Sequence, residues 1–265
     1  MGCGWLGLPL AQHLIRRGYL IRGSTTTRSK LELLKDEGIL PYMINLEHIS
    51  TTHQMNGFLD SDTLIINVPP GRKTENHQET LSQYDALIDQ LKSSNVSRVI
   101  FISSTSVYPN INERVYEHLQ YTPEMASGTV LLEIEKKLMD TDSFDTVVLR
   151  MSGLVGPNRL PGRFLAGKKN IENGDALVNL IHLKDCIEII TRVQEMGLKN
   201  EIFNCCADEH PTRRAFYTQA ALKLDLKPPE FLNNSTTKFK IVDNSKIKQA
   251  LKYNFMYPDP YMMIS

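Results

Sequence analysis

The sequence lacks an excess of charge of either sign and lacks long apolar runs. Its 30 basic and 30 acidic residues give a formal net charge of +0, which disfavours nucleic acid or an anionic membrane as the main partner. No apolar run approaches the roughly 20 residues that span a bilayer, and the start has no basic stretch followed by an apolar segment of secretory type. We therefore expect a cytoplasmic protein whose partner is a small molecule.

Cysteine is also scarce, and its spacing argues against a metal site and against a disulfide framework. The 4 cysteines show no CxxC spacing typical of metal sites, so no bound metal is expected. Cys205 and Cys206 are neighbours, which suits a reducing compartment better than a disulfide framework. Internal repeats and Gly/Ser-rich linkers are missing as well, so nothing marks a sharp domain boundary.

What the sequence does contain is an alternation of short aliphatic runs with helical patterns. The clearest helical pattern covers residues 75–94, where Leu81, Tyr84, Ile88 and Leu91 recur at three- and four-residue steps. The runs predicted as strands cover residues 19–22, 41–46, 63–68, 98–103 and 146–150. Because these strands are almost continuously apolar, they predict an α/β fold with a doubly wound parallel sheet of Rossmann type, covered by helices on both faces.

The first chemical motif is a GxGxxG pattern at the start of the chain, followed by a predicted helix at residues 8–17. Such glycines let the backbone turn tightly and approach a pyrophosphate at the positive end of a helix. A glycine turn without a ligand is the alternative. The residues expected to contact a dinucleotide are Gly2, Gly4, Trp5, Leu6 and Gly7.

Only Met1 precedes this motif, so the strand that normally leads into it is missing from the sequence. Losing about five apolar residues from a central strand, at roughly 1.5–3 kcal/mol each, approaches the whole stability of a domain, about 5–15 kcal/mol. We therefore expect the natural polypeptide to begin upstream of Met1.

The segment after the second predicted strand bears on the identity of the cofactor. An acidic residue there would hold the ribose hydroxyls of NAD, but the chain has the hydroxyls of Thr25, Thr26 and Thr27 and the guanidinium of Arg28. These donors suit the 2′-phosphate of NADP, so NADP is favoured over NAD. Alternatively, Ser24 or Thr27 only caps a helix at residues 28–37, which is compatible with either cofactor.

Four later segments together resemble the extended short-chain dehydrogenases/reductases of the epimerase/dehydratase family. Residues 103–109 resemble their SSxxVYG motif with Pro109 in place of glycine, and residues 149–159 resemble LRxxxxYGPxR with Val155 in place of tyrosine. Residues 179–185 are similar to the hVxD element, and residues 202–204 to the following strand. The resemblance implies a Rossmann part at residues 1–153 and a smaller substrate lobe at 154–265 that partly returns to the main sheet. It also implies a small, sugar-nucleotide-like substrate, and a homodimer formed through helices such as residues 75–94.

The chain departs from that family at the catalytic YxxxK motif. Alignment of the helix places Ser127 where the tyrosine would be and Leu131 where the lysine would be. A serine hydroxyl needs a separate activating base, so the usual proton transfer is not expected. A branch without YxxxK carries GWLGxPLA, TTxR and PPG segments, which are similar to segments of this chain. The residues that the resemblance adds to the cofactor site are Ser103, Val68, Pro69 and Pro70.

Two hydroxyls are candidates for catalysis. Ser104 occupies the family's Ser/Thr position beside the nicotinamide and could polarise a carbonyl, or it could simply bond the neighbouring backbone. Tyr121 is the one phenol near the altered helix, where it could act as an acid or be an ordinary loop residue.

Three further side chains are candidates for substrate binding. His182 matches a family position that faces substrate, although a histidine between Ile181 and Leu183 also suits simple packing. Arg159 and Arg163 could bind a phosphate or carboxylate, or lie solvated on the surface.

The rest of the chain is read as scaffold, with helices predicted at 212–224 and 245–251 and a strand at 238–242. The functional interpretation is an enzyme of epimerase/dehydratase type with a rebuilt acid/base set. The alternative is a catalytically silent NADP sensor.

Overall fold

The computed structural model describes residues 1–51, 54–68, 77–233 and 237–264. In chain order, the helices α1 to α9 span Gly7–Arg16, Lys30–Asp36, Met55–Phe58, His77–Lys92, Ala126–Met139, Gly162–Leu165, Leu183–Met196, Arg213–Leu222 and Ser245–Leu251. The strands β1 to β10 span Arg22–Thr25, Leu40–Met43, Thr63–Ile66, Arg98–Ser104, Arg114–Val115, Asp145–Met151, Gly153–Val155, Leu180–His182, Glu201–Cys205 and Ile241–Val242. Strands and helices alternate through most of the chain, as the periodicity predicts.

The strands form one four-stranded sheet and three two-stranded ones. The larger sheet has the order β3-β4-β6-β9, and the pairs are β1-β2, β5-β10 and β7-β8. β3 runs parallel to β4, and each of the three pairs is also parallel. In β6, every residue after Asp145 is buried, as expected for a strand covered on both faces. The α/β fold with parallel strands is therefore confirmed.

The first residues of the chain connect β1 with β3. The amide of Cys3 donates to the carbonyl of Ser24 in β1 at 2.9 Å, and the amide of Asn67 after β3 donates to the carbonyl of Met1 at 3.0 Å. The Met1 ammonium donates to the carbonyl of Ile65 at 2.6 Å. The start of the chain is therefore held by backbone bonds on both sides, and it leads directly into α1.

Two predicted strands differ from the structure, one in its position and the other in its length. The strand expected at 19–22 begins at Arg22, because the Tyr19 amide still bonds the Leu14 carbonyl at the end of α1; Leu20 is 93% exposed. The strand expected at 238–242 is reduced to Ile241–Val242. The helix expected at 212–224 is found at Arg213–Leu222, where the Thr212 hydroxyl accepts a capping bond from the Ala215 amide.

The chain divides into two compact units, each assembled from several segments. The first comprises Met1–Val107, Met125–Leu149 and Ile190–Ile202, and the second comprises Tyr108–Glu124, Arg150–Ile189 and Phe203–Ser265. The division that the resemblance implies, a Rossmann part at residues 1–153 and a lobe at 154–265 that partly returns to the main sheet, stays a prediction.

Each unit has its own core. In the first, the fully buried rings of Tyr84 and Phe101 meet edge to face at 6.0 Å. In the second, Phe216 packs in a cluster with Val155, and α6 lies so close to α8 that a Cβ at Gly162 would stand 2.1 Å from the carbonyl oxygen of Ala220. Over the ranges described, no helix has both the length and the apolar character required to traverse a bilayer.

Candidate functional site

The three glycines of the loop differ in what a side chain at each position would meet. Gly2 has φ of +89°, and a Cβ there would stand 2.6 Å from the carbonyl oxygen of Asn67. A Cβ at Gly7, the first residue of α1, would stand 2.1 Å from the carbonyl oxygen of Gly2. A Cβ at Gly4 would meet no atom within 4 Å. Gly2 and Gly7 are thus required by close packing of the backbone, and Gly4 leaves open space at the N-terminus of α1.

Trp5 and Leu6, which lie between Gly4 and Gly7, lead into α1. Leu6 is 3% exposed and immediately precedes α1, and Trp5 is half-buried in the preceding turn. Pro9 lies in the first turn of α1, where a missing N–H forfeits no intrahelical bond. The first turn of α1 contains no acidic residue, so the positive end of the helix is not neutralised locally.

A cavity of about 500 Å³ opens beside this loop, entirely within the first unit. Its walls come from the loop, the segments following β1, β2 and β3, and one face of α4. The carboxyl ends of parallel strands are where open α/β sheets bind ligands. The lining residues are Met1, Gly2, Cys3, Gly4, Ser24, Thr25, Thr26, Thr27, Lys30, Ile44, Asn45, Leu46, Glu47, Asn67, Val68, Glu79, Thr80, Gln83 and Tyr84.

The cation at the β1 side of this cavity is Lys30 rather than Arg28. Lys30 lines the cavity together with the hydroxyls that follow β1, whereas Arg28 does not belong to its described lining. The hydroxyl of Thr25 accepts a bond from the Thr27 amide at 3.1 Å, which shapes the turn. Glu47 also lines the cavity, and its carboxylate accepts a bond from the side-chain amide of Asn45 at 3.1 Å.

The segment after β3 is anchored from α4. The hydroxyl of Tyr84 donates to the carbonyl of Val68 at 2.8 Å, and burial raises the pKa of this phenol well above its usual value. Val68 lines the cavity, and its contact with the cofactor stays a prediction. Pro69 and Pro70, which were predicted to contact the cofactor, lie outside the described residues.

The two serines at the end of β4 are both engaged in hydrogen bonds. The Ser103 hydroxyl, which is 4% exposed, donates to the carboxyl group of Glu135 on α5 at 2.5 Å. The Ser104 hydroxyl accepts from the Ser106 amide at 3.1 Å and is half-buried. In this bond the Ser104 oxygen is the acceptor, and Ser104 does not belong to the described lining of the cavity.

The positions of the missing YxxxK motif fall on α5. Ser127 is half-buried, and Leu131 is 5% exposed and belongs to the core. The buried Glu135 follows Leu131 by one helical turn. Sequence reasoning missed this carboxyl group, although an acidic residue on the same face as Leu131 and Ile134 is a signal that could have revealed it.

Tyr108 and Tyr121 lie together in the second unit. The hydroxyl of Tyr108 accepts a bond from Arg150 at 2.7 Å and donates to the side-chain oxygen of Asn204 at 2.7 Å. Burial raises the pKa of Tyr108 to about 12, in spite of Arg150. The ring of Tyr121 stands edge-on to that of Tyr108 at 5.3 Å. Tyr108 is therefore held as a neutral structural phenol, while Tyr121 is only half-buried.

The remaining substrate candidates also lie in the second unit. His182 is 7% exposed, its Nδ1 accepts from the Lys184 amide at 3.2 Å, and its ring lies 3.8 Å from that of Tyr257. Burial, followed by the charge of Lys184, lowers the pKa of His182 to about 4, so the ring is neutral at pH 7. Arg159 is half-buried in a turn and Arg163 is exposed on α6.

Comparison with known proteins gives consistent results. Residues 2–206 match the model of the NAD dependent epimerase/dehydratase family. Protein YeeZ from Escherichia coli (strain K12) is 38% identical over 266 residues, covering 99% of this chain and 97% of that protein.

Two solved structures share the fold. A functionally unknown conserved protein from Silicibacter pomeroyi has a TM-score of 0.82 at 22% identity, covering 99% of this chain and 94% of the other. The dTDP-glucose 4,6-dehydratase from Bacillus anthracis, solved in complex with NAD, has a TM-score of 0.80 at 13% identity, with coverages of 99% and 93%. The family match spans most of the chain and one relative is 38% identical along nearly its whole length; the chain therefore belongs to the NAD-dependent epimerase/dehydratase family.

Proposed function

We propose that the protein binds NADP in the cavity beside the glycine loop and acts on a small, polar, sugar-nucleotide-like substrate with a non-standard acid/base set. The observation that carries this proposal is the loop itself. Gly4 leaves open space at the positive end of α1, and the cavity of about 500 Å³ continues from it. That volume lies in the range of ligand pockets, about 300–1,000 Å³.

The residues present fit a dinucleotide. A pyrophosphate needs backbone amides at a helix N-terminus and no side chain in the way, and Gly4 with the start of α1 supplies both. The hydroxyls and amides that follow β1 and β2 would hold the adenosine half.

The hydrogen-bond donors that follow β1 in the cavity wall favour NADP over NAD. Thr26, Thr27 and Lys30 are exposed donors there, which suits a 2′-phosphate. The carboxylates of Glu47 and Glu79 also line the cavity, and they would accept bonds from ribose hydroxyls. NAD therefore remains the alternative cofactor.

A bound nicotinamide would supply a hydride donor or acceptor. Ser104 would then donate its proton to a substrate carbonyl or hydroxyl. Leu131 supplies no cation to lower the pKa of a neighbouring phenol, so proton transfer requires a different group. In the second unit, Tyr121 is the candidate acid, neutral His182 is a candidate hydrogen-bonding partner, and Arg159 and Arg163 are candidates for an anionic group of the substrate.

The test begins with calorimetric titration of NADP and NAD in parallel. We expect NADP to bind more tightly, and failure of both dinucleotides to bind would refute the proposal. The cofactor-loaded protein is then incubated with a panel of sugar nucleotides, including dTDP-glucose because a structural relative is a dehydratase of that compound. If the protein binds the cofactor but converts no compound of the panel, the proposed activity on a sugar-nucleotide-like substrate is refuted.

A catalytically silent NADP sensor is the second candidate, and Leu131 favours it. A buried leucine and a serine occupy the positions of the family's lysine and tyrosine. A sensor should show cofactor-dependent changes in protease sensitivity or association. If neither property changes on saturation with NADP, the sensor is excluded.

We also propose that the protein acts in the cytoplasm and forms a homodimer. The cysteines Cys3, Cys186, Cys205 and Cys206 are unpaired, which suits a reducing compartment. Sedimentation analysis at micromolar concentration tests the dimer, and a monomeric mass would exclude it.

A further inference from the structure

The backbone of Gly2 is held by two side chains, one bonded to its N–H and the other to its C=O. The Gly2 amide donates to the hydroxyl of Ser24 in β1 at 3.0 Å. The side-chain amide of Asn67, just beyond β3, donates to the Gly2 carbonyl at 3.3 Å. Both side chains belong to the described lining of the cofactor cavity, and Ser24 is 2% exposed.

The orientation of the Gly2–Cys3 peptide, which carries the Gly2 carbonyl, sets the path of the loop. The Gly2 carbonyl also accepts from the Gly4 amide at 2.8 Å, and it occupies the space next to Gly7 where a Cβ would stand at 2.1 Å. Rotation of the Gly2–Cys3 peptide would therefore shift Gly4 and the entry into α1 together. The backbone amides at the start of α1 are the ones that must face a pyrophosphate.

We infer that Ser24 and Asn67 are positioning residues that hold the glycine loop in its pyrophosphate-binding conformation before the cofactor arrives. This inference rests on the proposed function. A loop fixed in advance loses less conformational freedom on binding, which raises affinity without any additional contact to the ligand. Asn67 directly follows the apolar residues of β3. A residue needed there only for packing would not carry the carbonyl and NH2 groups of an asparagine side chain.

The inference predicts a particular pattern of ligand affinities. Ser24→Ala and Asn67→Ala should each weaken NADP, NAD and ADP by a similar factor, about threefold to tenfold, as expected for one neutral hydrogen bond. Adenosine, which lacks phosphates, should bind each variant as it binds the parent. Asn67→Asp should weaken the phosphate ligands further, because a carboxylate beside the loop would repel the pyrophosphate.

The experiment measures these affinities by calorimetry on the full chain, with melting temperatures recorded for each variant. Exposed Ser82→Ala and Asn95→Ala on the same unit are matched controls and should bind all four ligands normally. Ser24→Thr retains an acceptor oxygen and should recover the affinity lost in Ser24→Ala.

The outcomes separate the inference from the proposed function. If the parent binds neither dinucleotide, the proposed function fails and the inference falls with it. If the parent binds but Asn67→Ala and Asn67→Asp stay within twofold for NADP, NAD and ADP, the positioning role alone is overturned. An equal loss for adenosine would also overturn it, because that loss indicates general damage to the cavity.

Discussion

Ser103 and Glu135 form a buried hydrogen bond between the end of β4 and the middle of α5. The hydroxyl donates to the carboxyl group at 2.5 Å, and the two residues are 4% and 3% exposed. The bond fixes the strand end that carries Ser104 against the helix where the family's catalytic pair would lie. Glu135 thus makes a buried polar contact of α5 one helical turn beyond Leu131, the position of the missing lysine.

Removal of this carboxyl group should destabilise the protein. Glu135→Ala leaves the Ser103 hydroxyl without this acceptor and opens a cavity, so we expect a loss of about 2–4 kcal/mol in the free energy of unfolding. Glu135→Gln keeps an acceptor oxygen and should lose about 1 kcal/mol. Urea denaturation measures both, and Glu133→Ala on the exposed face of α5 is the control. Equal stability of Glu135→Ala and the parent would contradict the importance of the bond.

Lys30 should determine the preference for NADP. Lys30→Ala removes the cation at the β1 side of the cavity, and we expect NADP affinity to fall roughly fivefold to tenfold, a modest loss because the side chain is exposed. NAD affinity should not change. Arg28→Ala and Lys35→Ala are parallel controls, and a selective loss of NADP binding in Arg28→Ala instead would assign the phosphate to that residue.

Gly4 and Gly7 should respond differently to the same substitution. Gly4→Ala adds a methyl group to open space, so the melting temperature should stay the same while dinucleotide affinity falls by roughly tenfold or more, the scale of a lost charge-assisted bond. Gly7→Ala places its Cβ against the Gly2 carbonyl and should cost about 1–3 kcal/mol or more in stability. Thermal melts and titrations of both variants check this, and normal cofactor binding by Gly4→Ala would show that the ligand does not approach there.

His182 should make stability depend on pH in the acidic range. Its pKa is about 4 in the folded state and about 6.5 when unfolded, so the unfolded state binds more protons between these values. Stability is therefore present above pH 6.5 and is lost as the pH falls towards 4. Between pH 7 and 4.5 the parent should lose about 1–3 kcal/mol more than His182→Asn.

The contribution of His182 to the pH dependence of stability is the difference between the parent and His182→Asn. Urea denaturation of the parent and His182→Asn at both pH values cancels the contribution of other titrating groups, among them His210, whose pKa burial also lowers. His118→Asn at an exposed position is the control. Identical pH dependence of the parent and His182→Asn would exclude a buried neutral imidazole.

Much of the fold and part of the site could be predicted from local pattern. The helix predicted at 75–94 is described over His77–Lys92, because its apolar spacing matches a helix buried along one face. The strand at 19–22 was misplaced, because the chain after Gly18 is still bonded to the end of α1. The contact of Ser103 with the cofactor stays a prediction. The bond from its hydroxyl to Glu135 could not be predicted, because the partner is more than thirty residues away and no local pattern specifies it.

The sequence by itself determined the alternating α/β architecture, the glycine loop at the start of α1 and the absence of YxxxK, because periodicity, glycine spacing and residue identity are local properties. Tertiary structure alone decided that Lys30 belongs to the described lining of the cavity and that Ser24 and Asn67 hold the backbone of Gly2. These facts depend on which strand ends meet at one edge of the sheet and on the direction in which each side chain leaves the backbone. Contacts between residues distant in sequence determine both properties.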